Sequence, residues 1–405
     1  MHRADAIRSA PRRLQDCYVI EDLRELARRR LPRFIFEFFD GGAEQELTLN
    51  ANRQAFAHWA WRPHVLRDVS QPRLDVSILG QPAQLPLAIA PTGAGRFGHP
   101  DAELGLARAA RAAGIPYALS SSATTLIETI AEQAGGRLWF QAYVLKERDY
   151  FWQLLQRAES AGFEALIITV DLAVGGKRVR DFHNHFSIPF KFSPRNIADA
   201  LQHPGWLVQL LQHGMPVMEN LRGMARAQSS ALATNTAIAS TVGRGYDAGF
   251  DLARLREVRD RWKGKLIVKG IARGDDAVLA ADAGVDMLVV SNHGGRQLDG
   301  ALGSLDCLPE VVQAVGHRCE VWMDGGIRHG GDVAKAMALG ARGVLCGRAT
   351  LYGAIAAGEP GARRALEILR DEYQRTLQLC GLTDASQWHR DLLTPSRSLR
   401  ENAQP

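Results

Sequence analysis

Eight short apolar runs constrain the fold of this chain more than any other feature of its sequence. They are rich in Val, Ile, Leu and aromatic residues, and they alternate with alanine-rich segments of helical periodicity, which is typical of repeated βα units around a parallel sheet. The runs are 85–90, 116–121, 138–143, 165–171, 265–270, 287–292, 320–325 and 343–348. Because eight strands close a barrel, the sequence predicts an α/β fold in the form of a (β/α)8 barrel, or TIM barrel.

The segments on either side of these runs are interpreted as parts of one domain of 405 residues. An N-terminal helical extension covers 1–84, with one predicted helix from Glu21 to about Phe39 and a short hairpin at its end. Residues 18–84 together are expected to cap the bottom or edge of the barrel. The barrel covers 85–380, and a C-terminal tail over 381–405 is expected to wrap its outside. Because a barrel of this kind routinely fills this much chain, no second domain is needed.

One step between runs is exceptional. Roughly eighty residues separate the fourth run from the next helix, far more than a loop in a compact domain needs, so we interpret 178–245 as an insertion after strand 4. A short predicted helix inside it places Trp206, Leu207, Leu210 and Leu211 on one face. Such a helix can pack on the barrel, join a subunit contact or lie in a membrane interface, and the pattern alone favours packing.

Composition excludes several classes of protein. The chain is 46% hydrophobic and 23% charged and has no low-complexity tract, so it can bury a large core. No apolar stretch is long enough for a signal peptide or a spanning helix. The five cysteines are widely spaced and form no CxxC pair, which fits a reducing cytoplasm and predicts no metal site. Nine arginines in the first 33 residues are interpreted as a solvated helix face, and no nucleic-acid partner is expected, because no aromatic residues alternate with them.

The C-terminal ends of the predicted strands, where barrels carry their active sites, are unusually polar. Lys269 ends the fifth run, and a buried lysine there is costly unless it faces an anion or a polarised ring. The loops after strands seven and eight, the usual phosphate site of this architecture, read Asp324-Gly-Gly-Ile-Arg328 and Cys346-Gly-Arg348. Their glycines expose backbone N–H groups and their arginines can clamp a phosphate, so a phosphate-bearing cofactor is expected.

The loop after strand six contains His293 and Arg296, three residues apart. A histidine can accept a proton near neutral pH, and an arginine can bind a carboxylate in bidentate geometry. A lone histidine is usually structural, but this one lies among glycines that leave little for it to pack against. The pair suits an anionic acid whose α-carbon or hydroxyl must lose a proton.

At these residues the sequence resembles the FMN-dependent 2-hydroxy-acid oxidase and dehydrogenase family, which includes glycolate oxidase, L-lactate dehydrogenase and (S)-mandelate dehydrogenase. The segment 291–299 is close to the family's signature, and the resemblance runs from about Leu31 to Leu379. It implies oxidation of a small (S)-2-hydroxy acid to the 2-keto acid, with His293 as the catalytic base and FMN as the cofactor. Whether the electrons leave as hydride or after a carbanion forms stays open.

The same resemblance implies roles for individual residues. Tyr143 would bind the substrate oxygen, and Arg178 and Arg296 would bind the substrate carboxylate. Lys269 would face the N1 and O2 edge of FMN and stabilise the reduced ring, and Asp299 would support the signature loop. The other cofactor-binding positions would be Pro91, Thr92, Gly93, Ser120, Gln141 and Thr169 around the ring, with Ser291, Asp324, Gly325, Gly326, Arg328, Gly347 and Arg348 beside it and toward the ribityl chain and phosphate.

The insertion is similar to that of the (S)-mandelate dehydrogenases, notably over 181–189, 203–206 and 213–216. In those relatives the region attaches the protein to the membrane, so the resemblance implies peripheral contact through 190–220 at the inner face of the cytoplasmic membrane, while a helix that only packs on the barrel stays an alternative. Gly93, where many family oxidases carry alanine, favours a dehydrogenase that reduces a quinone over an oxidase that uses oxygen. Family barrels are often tetramers, so a homo-oligomer is expected.

Phe38 departs from the family pattern, which usually has a tyrosine there whose hydroxyl binds the substrate carboxylate. Loss of one hydrogen bond to a charged group costs about 1.5–3 kcal/mol if nothing replaces it. We therefore expect Phe38 to line a site for a bulkier, more apolar hydroxy acid, or for one whose carboxyl is derivatised, rather than for glycolate.

Two rival interpretations keep the barrel. Other FMN barrels catalyse isomerisation, and inosine-phosphate dehydrogenases use a cysteine nucleophile, but the pair of His293 and Arg296 and the lack of a cysteine in an active-site loop argue against both. A non-enzymatic binding protein is disfavoured by the joint presence of the predicted catalytic and binding residues, and Phe38 keeps that alternative open.

Overall fold

The fold is taken from a computed structural model that describes residues 11–186, 193–222 and 245–396. Its strands, numbered in chain order, are β1 (Trp59–Trp61), β2 (Val76–Ile78), β3 (Gln81–Ala83), β4 (Leu87–Ile89), β5 (Tyr117–Ser120), β6 (Leu138–Tyr143), β7 (Ala165–Thr169), β8 (Lys265–Ile271), β9 (Met287–Val290), β10 (Glu320–Met323), β11 (Gly343–Cys346) and β12 (Leu393–Pro395).

Its helices, also numbered in chain order, are α1 (Ile20–Arg30), α2 (Arg33–Asp40), α3 (Leu47–Gln54), α4 (Ala102–Ala112), α5 (Ile127–Gln133), α6 (Arg148–Ser160), α7 (Val179–His183), α8 (Pro194–Leu201), α9 (Pro204–His213), α10 (Leu252–Arg261), α11 (Gly274–Asp282), α12 (Ser304–Val315), α13 (Gly330–Ala338) and α14 (Arg348–Leu379). The last of these is interrupted by non-helical backbone at Ala357 and Gly358.

Strands β4 to β11 form a closed barrel in which each strand pairs with its neighbours in the chain and β11 pairs back onto β4. All of these pairings are parallel. A helix follows every barrel strand, and each of the eight predicted runs coincides with one barrel strand, although β8 ends one residue beyond its run. The predicted (β/α)8 barrel is therefore confirmed.

Large aromatic side chains fill the bottom of the barrel. Trp139 and Trp322 are fully buried with their ring centroids 6.0 Å apart, and each indole N–H donates to a glutamate, Glu164 at 2.8 Å and Glu320 at 3.0 Å. The hairpin of β2 and β3 closes this end with buried Ile78. Because apolar groups occupy the bottom, only the C-terminal ends of the strands are left to carry a polar site.

The N-terminal extension differs from its prediction. The helix expected from Glu21 to Phe39 is two helices, α1 and α2, separated at Leu31 and Pro32. A proline lacks the N–H that a continuous helix needs and disfavours helical geometry at the preceding residue, and Leu31 is accordingly extended (φ −104°, ψ 143°). Helix α3 was not predicted. The short strand β12 of the tail pairs with β1 of the extension.

The insertion after β7 contains α7, α8 and α9 in its described part. Trp206 is buried, donates its indole N–H to the carbonyl of Phe97 at 2.8 Å, and meets the Phe34 ring edge-on. Leu210 packs beside it, but Leu211 is 85% exposed, so the predicted face was wrong in that residue. Trp206 and Leu210 are four residues apart and share the packed face, whereas Leu211 is five residues from Trp206 and lies further round the helix.

A buried glutamate on α4 ties together the loops that follow β4 and β5. One carboxylate oxygen of Glu103 accepts hydrogen bonds from the backbone N–H of Gly95 (3.0 Å) and from the N–H and hydroxyl of Thr124 (2.8 and 2.9 Å). The other oxygen accepts from the Thr125 hydroxyl at 2.6 Å. Burial raises the pKa of Glu103 above its ordinary value. These loops lead into the mouth of the barrel, so Glu103 fixes part of its rim.

We expect Glu103→Ala to lower the free energy of unfolding by about 3 kcal/mol or more, because buried donors lose their acceptor. Glu103→Gln keeps one carbonyl oxygen and should lose less than about 1.5 kcal/mol. Because the pKa of Glu103 is raised in the folded protein, folding favours the protonated carboxyl group. The stability that Glu103 contributes in the wild type therefore declines as pH rises above the ordinary pKa of a glutamate. The Gln variant cannot ionise at this position, so it should lack that decline. Urea unfolding at about pH 5 and about pH 8 measures both effects. Equal losses in the two variants would contradict this role.

Candidate active site

An open cavity lies at the C-terminal ends of the barrel strands. It is lined by most of the predicted site residues, namely Phe38, Pro91, Thr92, Gly93, Gln141, Tyr143, Thr169, Arg178, Lys269, His293, Arg296, Asp324, Gly325, Gly326, Arg328, Gly347 and Arg348.

Three predicted residues lie outside the lining, and two of them contact residues that form it. Ser120 donates to the Gln141 side-chain carbonyl at 2.9 Å, which orients that amide toward β7. The hydroxyl of Ser291 accepts from the N–H of His293 at 3.0 Å. These two contacts hold the lining in place from behind. Asp299, the third, accepts from the backbone N–H groups of Gln45 and Thr48 at 3.0 and 2.9 Å, which lie outside the lining at the start of α3.

His293 stands between an aspartate and a tyrosine. Its Nδ1 lies 2.9 Å from Asp171, and because a carboxylate can only accept, Nδ1 carries the hydrogen and Nε2 is left as the acceptor. Burial opposes the charge of Asp171, but His293 and Lys269 outweigh burial, and the pKa of Asp171 is lowered. The Tyr143 hydroxyl donates to Nε2 at 3.3 Å, and burial raises the pKa of Tyr143 to about 12. This array can take up a proton at Nε2.

Asp171 is a site residue to which the sequence analysis gave no role. It lies two residues after the end of β7, so its position at a strand end was a usable signal. The backbone beside Asp171 has room for it because residue 270 is a glycine. Gly270 has φ +111°, and a Cβ there would lie 2.7 Å from the Cβ and N of Asp171. His293 itself has φ +59°, a left-handed conformation that non-glycine residues adopt at a cost and that is concentrated at functional sites.

Two arginines face the cavity beside His293. The Nε of Arg178 donates to Asp181 at 2.7 Å, and neither of its terminal nitrogens hydrogen-bonds to the part of the chain that the structure describes. One terminal nitrogen of Arg296 donates to the carbonyls of Phe38 and Gly41, both at 2.9 Å. Burial lowers the pKa of Arg296, and the charge of Arg178 adds to this effect. Two cations held close together with open donors can bind a carboxylate.

An aromatic wall closes the same end of the cavity. The Phe38 ring stacks on Phe186 with centroids 4.5 Å apart, and the guanidinium carbons of Arg178 and Arg296 lie 5.7 and 5.4 Å from its centroid. Tyr246 packs against Tyr143 at 4.8 Å. Phe186 and Tyr246 were not predicted, since Phe186 lies in the insertion and Tyr246 directly follows it, where no strand pattern fixes which side chains face inward.

Unpaired polar atoms mark the other end of the cavity. The side chain of Lys269 donates to Ser291 at 2.8 Å and pairs with Asp324 at 2.9 Å; burial opposes its charge, but Asp324 and Asp171 raise its pKa overall. The buried atoms Asp324 Oδ1, Thr92 Oγ1 and Arg328 Nε have no partner within the described residues. Leaving such groups unpaired costs about 1–3 kcal/mol each, so they indicate a ligand with hydroxyl and anionic groups.

These residues fit FMN. Asp324 Oδ1 can accept from a ribityl hydroxyl, and Arg328 Nε can donate to the phosphate. Gly325 and Gly326 have φ +95° and +84°, and a Cβ at Gly326 would lie 2.1 Å from the carbonyl of Asn52, so this turn requires glycine and exposes its backbone.

The side chain of Arg348 differs from the predicted phosphate clamp. Its three nitrogens donate to the carbonyls of Phe39 (3.1 Å), Gly294 (2.9 Å) and Gly41 (2.8 Å). The guanidinium therefore holds the loop after β9 against the end of α2, and any phosphate contact of Arg348 stays a prediction for its backbone N–H. Sequence cannot distinguish an arginine that meets a phosphate from one that meets carbonyl groups.

Comparison with known proteins agrees with this geometry. The model of the FMN-dependent dehydrogenase family matches residues 27–395. The chain is 40% identical over 379 residues to (S)-mandelate dehydrogenase of Pseudomonas putida, covering 94% of each protein. It is 40% identical over 375 residues to L-lactate dehydrogenase of a Caulobacter species, covering 92% of this chain and 97% of the relative.

Solved structures give the same assignment. The crystal structure of the monotopic membrane protein (S)-mandelate dehydrogenase superimposes with a TM-score of 0.87 at 38% identity, covering 94% of this chain and all of that one. A mandelate oxidase superimposes with a TM-score of 0.78 at 37% identity, covering 93% of this chain and 98% of that one. The chain therefore belongs to the FMN-dependent dehydrogenase family and is an oxidoreductase that uses FMN.

Proposed function

We propose that this enzyme oxidises an (S)-2-hydroxy acid with a bulky apolar side chain, such as mandelate, to the 2-keto acid and passes the electrons to a quinone-type acceptor. The observation that carries the proposal is the placement of His293, with Asp171 and Tyr143 on either side, next to the open donors of Arg178 and Arg296. The names of the relatives, mandelate and lactate dehydrogenases, support the same substrate class.

The residues divide the reaction between them. The terminal nitrogens of Arg178 and the free ones of Arg296 bind the carboxylate of the substrate, which directs its hydroxyl and α-carbon toward His293 and Tyr143. His293 Nε2 accepts the proton, and Asp171 stabilises the imidazolium that results. Bound FMN would supply the two-electron acceptor, to which the two electrons and the second hydrogen of the substrate would pass.

The cofactor is held by the opposite end of the cavity. We assign Lys269 to the N1 and O2 edge of FMN, Thr92 with Pro91 and Gly93 to the ring, and Asp324 and Arg328 to the ribityl chain and phosphate. Charge supports this division, because Lys269 and Arg328 supply positive charge where reduced FMN and its phosphate carry negative charge.

The aromatic wall supports a bulky substrate. Phe38 offers the carboxylate no hydroxyl, and its stack on Phe186 presents apolar surface beside the arginines. Leu172, Met218 and Tyr246 extend that surface around the cavity. An aryl or alkyl group gains from this contact, whereas glycolate, which has no side chain, gains nothing. A hydroxy acid with a derivatised carboxyl is the alternative that the missing hydroxyl leaves open.

The proposed function predicts the outcome of an anaerobic titration of the FMN-loaded enzyme. (S)-mandelate should bleach the visible absorbance of FMN, and L-lactate and glycolate should need progressively higher concentrations, because each offers less apolar surface to the wall. Adding a soluble ubiquinone analogue or oxygen to the bleached enzyme then identifies the acceptor. Faster recovery with the quinone is expected; faster recovery with oxygen would replace that part of the proposal with an oxidase. No bleaching by any 2-hydroxy acid would refute the substrate class.

Asp171→Asn tests the array around His293. The amide cannot stabilise an imidazolium as a carboxylate does, so we expect the rate of FMN reduction by substrate to fall about 10²-fold or more. The matched control is Asp306→Asn, which alters another aspartate beside a histidine, His58, at 3.5 Å and outside the cavity. Stopped-flow absorbance measures both. A rate for Asp171→Asn near that of the control would remove Asp171 from the mechanism.

Part of the insertion supports peripheral contact with the inner face of the cytoplasmic membrane. Residues 190–192 of the predicted segment lie outside the described residues, but α8 exposes Ile197 and Leu201 and α9 exposes Val208 and Leu211. Each pair is three or four residues apart and so shares one helix face. No helix in the described part of the chain is long and apolar enough to cross a membrane. A similar structure is that of a monotopic membrane protein.

We expect Leu211→Asp to weaken binding to vesicles of phosphatidylethanolamine and phosphatidylglycerol, because a charged side chain replaces one that is 85% exposed and apolar. The control is Leu379→Asp, a similarly exposed leucine at the end of α14. Co-sedimentation with vesicles measures both variants. If both bind as well as the wild type, α9 is not part of a membrane contact.

A further inference from the structure

The contact between α7 and α2 holds one wall of the substrate end in place. Arg180 of α7 pairs with Asp40 at the end of α2 (3.4 Å) and with Glu46. The Asn184 amide, just beyond α7, donates to Glu37. Helix α7 has five residues, too few to be stable by its own backbone hydrogen bonds. Its position therefore depends on these side chains.

Arg178 is carried by this short helix. It is the residue at the N-terminal cap of α7, and its guanidinium is held by Asp181 of the same helix at 2.7 Å. A shift of α7 relative to α2 would move Arg178 as a unit with Asp181. Arg180 makes ion pairs from α7 to residues outside it, so it fixes where Arg178 stands.

Arg296, the second arginine that faces the cavity, is held in place through Glu46 as well. Glu46, the partner of Arg180, accepts from the backbone N–H of Gly42 at 2.9 Å with its other oxygen. The preceding residue, Gly41, accepts from Arg296 at 2.9 Å. Arg180 is thus connected to Arg296 through the carboxylate of Glu46 and the turn at Gly41 and Gly42.

We propose that Arg180 is a positioning residue that sets the spacing between Arg178 and Arg296, and with it the affinity for the carboxylate of the substrate. Arg180 does not itself line the cavity and acts through Asp40 and Glu46. The two substrate arginines repel each other, so a bound carboxylate needs both at a fixed separation, and the ion pairs of Arg180 hold that separation before the ligand arrives. The inference rests on the proposed function, because it takes a carboxylate as the ligand.

The test measures binding separately from turnover, with FMN-loaded enzyme. Phenylacetate, which has a carboxylate but no hydroxyl to oxidise, is titrated against the FMN absorbance to give Kd, and (S)-mandelate gives KM and kcat. In Arg180→Gln we expect Kd and KM to rise together, roughly 10- to 100-fold, because weakening one hydrogen bond between charged groups has an effect of that size. The value of kcat should stay close to that of the wild type.

Three further variants define the interpretation. Arg180→Lys keeps one charge and should recover part of the affinity. Glu46→Gln keeps the acceptor for Gly42 but loses the ion pair, so it should raise Kd even if Arg180→Gln fails to fold. Arg24→Gln is the matched control, since Arg24 also pairs with Asp40, at 2.7 Å, but belongs to α1. It should lower stability and leave Kd unchanged.

The outcomes separate the alternatives. If Kd is unchanged in both Arg180→Gln and Glu46→Gln, or rises equally in Arg24→Gln, or if kcat falls while KM stays constant, the positioning role is wrong. If wild-type enzyme binds phenylacetate but no 2-hydroxy acid reduces its FMN, the proposed function fails, and the Kd values of the variants still decide the role of Arg180.

Discussion

The carbonyl groups at the C-terminal end of α2 accept hydrogen bonds from two half-buried arginines, and both halves of the cavity depend on this interaction. Arg296 donates to the carbonyls of Phe38 and Gly41, and Arg348 donates to those of Phe39 and Gly41. The last carbonyls of a helix have no partner within it and carry its partial negative charge. They thus stabilise the two cations, and they leave the other nitrogens of Arg296 open to bind a ligand.

This interaction explains why segments far apart in the sequence form one site. The extension supplies α2, the insertion supplies α7 with Arg178, and the barrel supplies the loop that begins at His293. Asp40, the last residue of α2, binds Arg24, Arg180 and the Tyr352 hydroxyl, so one helix end is a common anchor for α1, the insertion and α14. The barrel alone would have the catalytic histidine but no fixed carboxylate site.

The sequence predicts the barrel and its polar mouth well, because parallel strands bring their C-terminal ends together whatever the loops do. The sequence is less informative where contacting residues lie far apart in the chain, or where a polar side chain uses its hydrogen bonds within the protein. Asp171 is 122 residues from His293, so no local motif joins them, although its strand-end position was readable. Pro32 is a helix-breaking residue, so the sequence did contain a signal that the first predicted helix is divided. The exposure of Leu211 and the carbonyl partners of Arg348 depend on packing that periodicity does not encode.

The charges of the cavity also constrain the second half of the reaction. Arg178 and Arg296 serve a carboxylate, and both the hydroxy acid and its keto-acid product carry one, so release of the product leaves these cations to water or to a new substrate anion. A quinone is neutral and gains nothing from that pair. Under the proposed function it approaches FMN along the apolar lining formed by Phe186, Met218 and Tyr246. Phe186 and Met218 belong to the insertion, which would then serve the acceptor as well as the substrate.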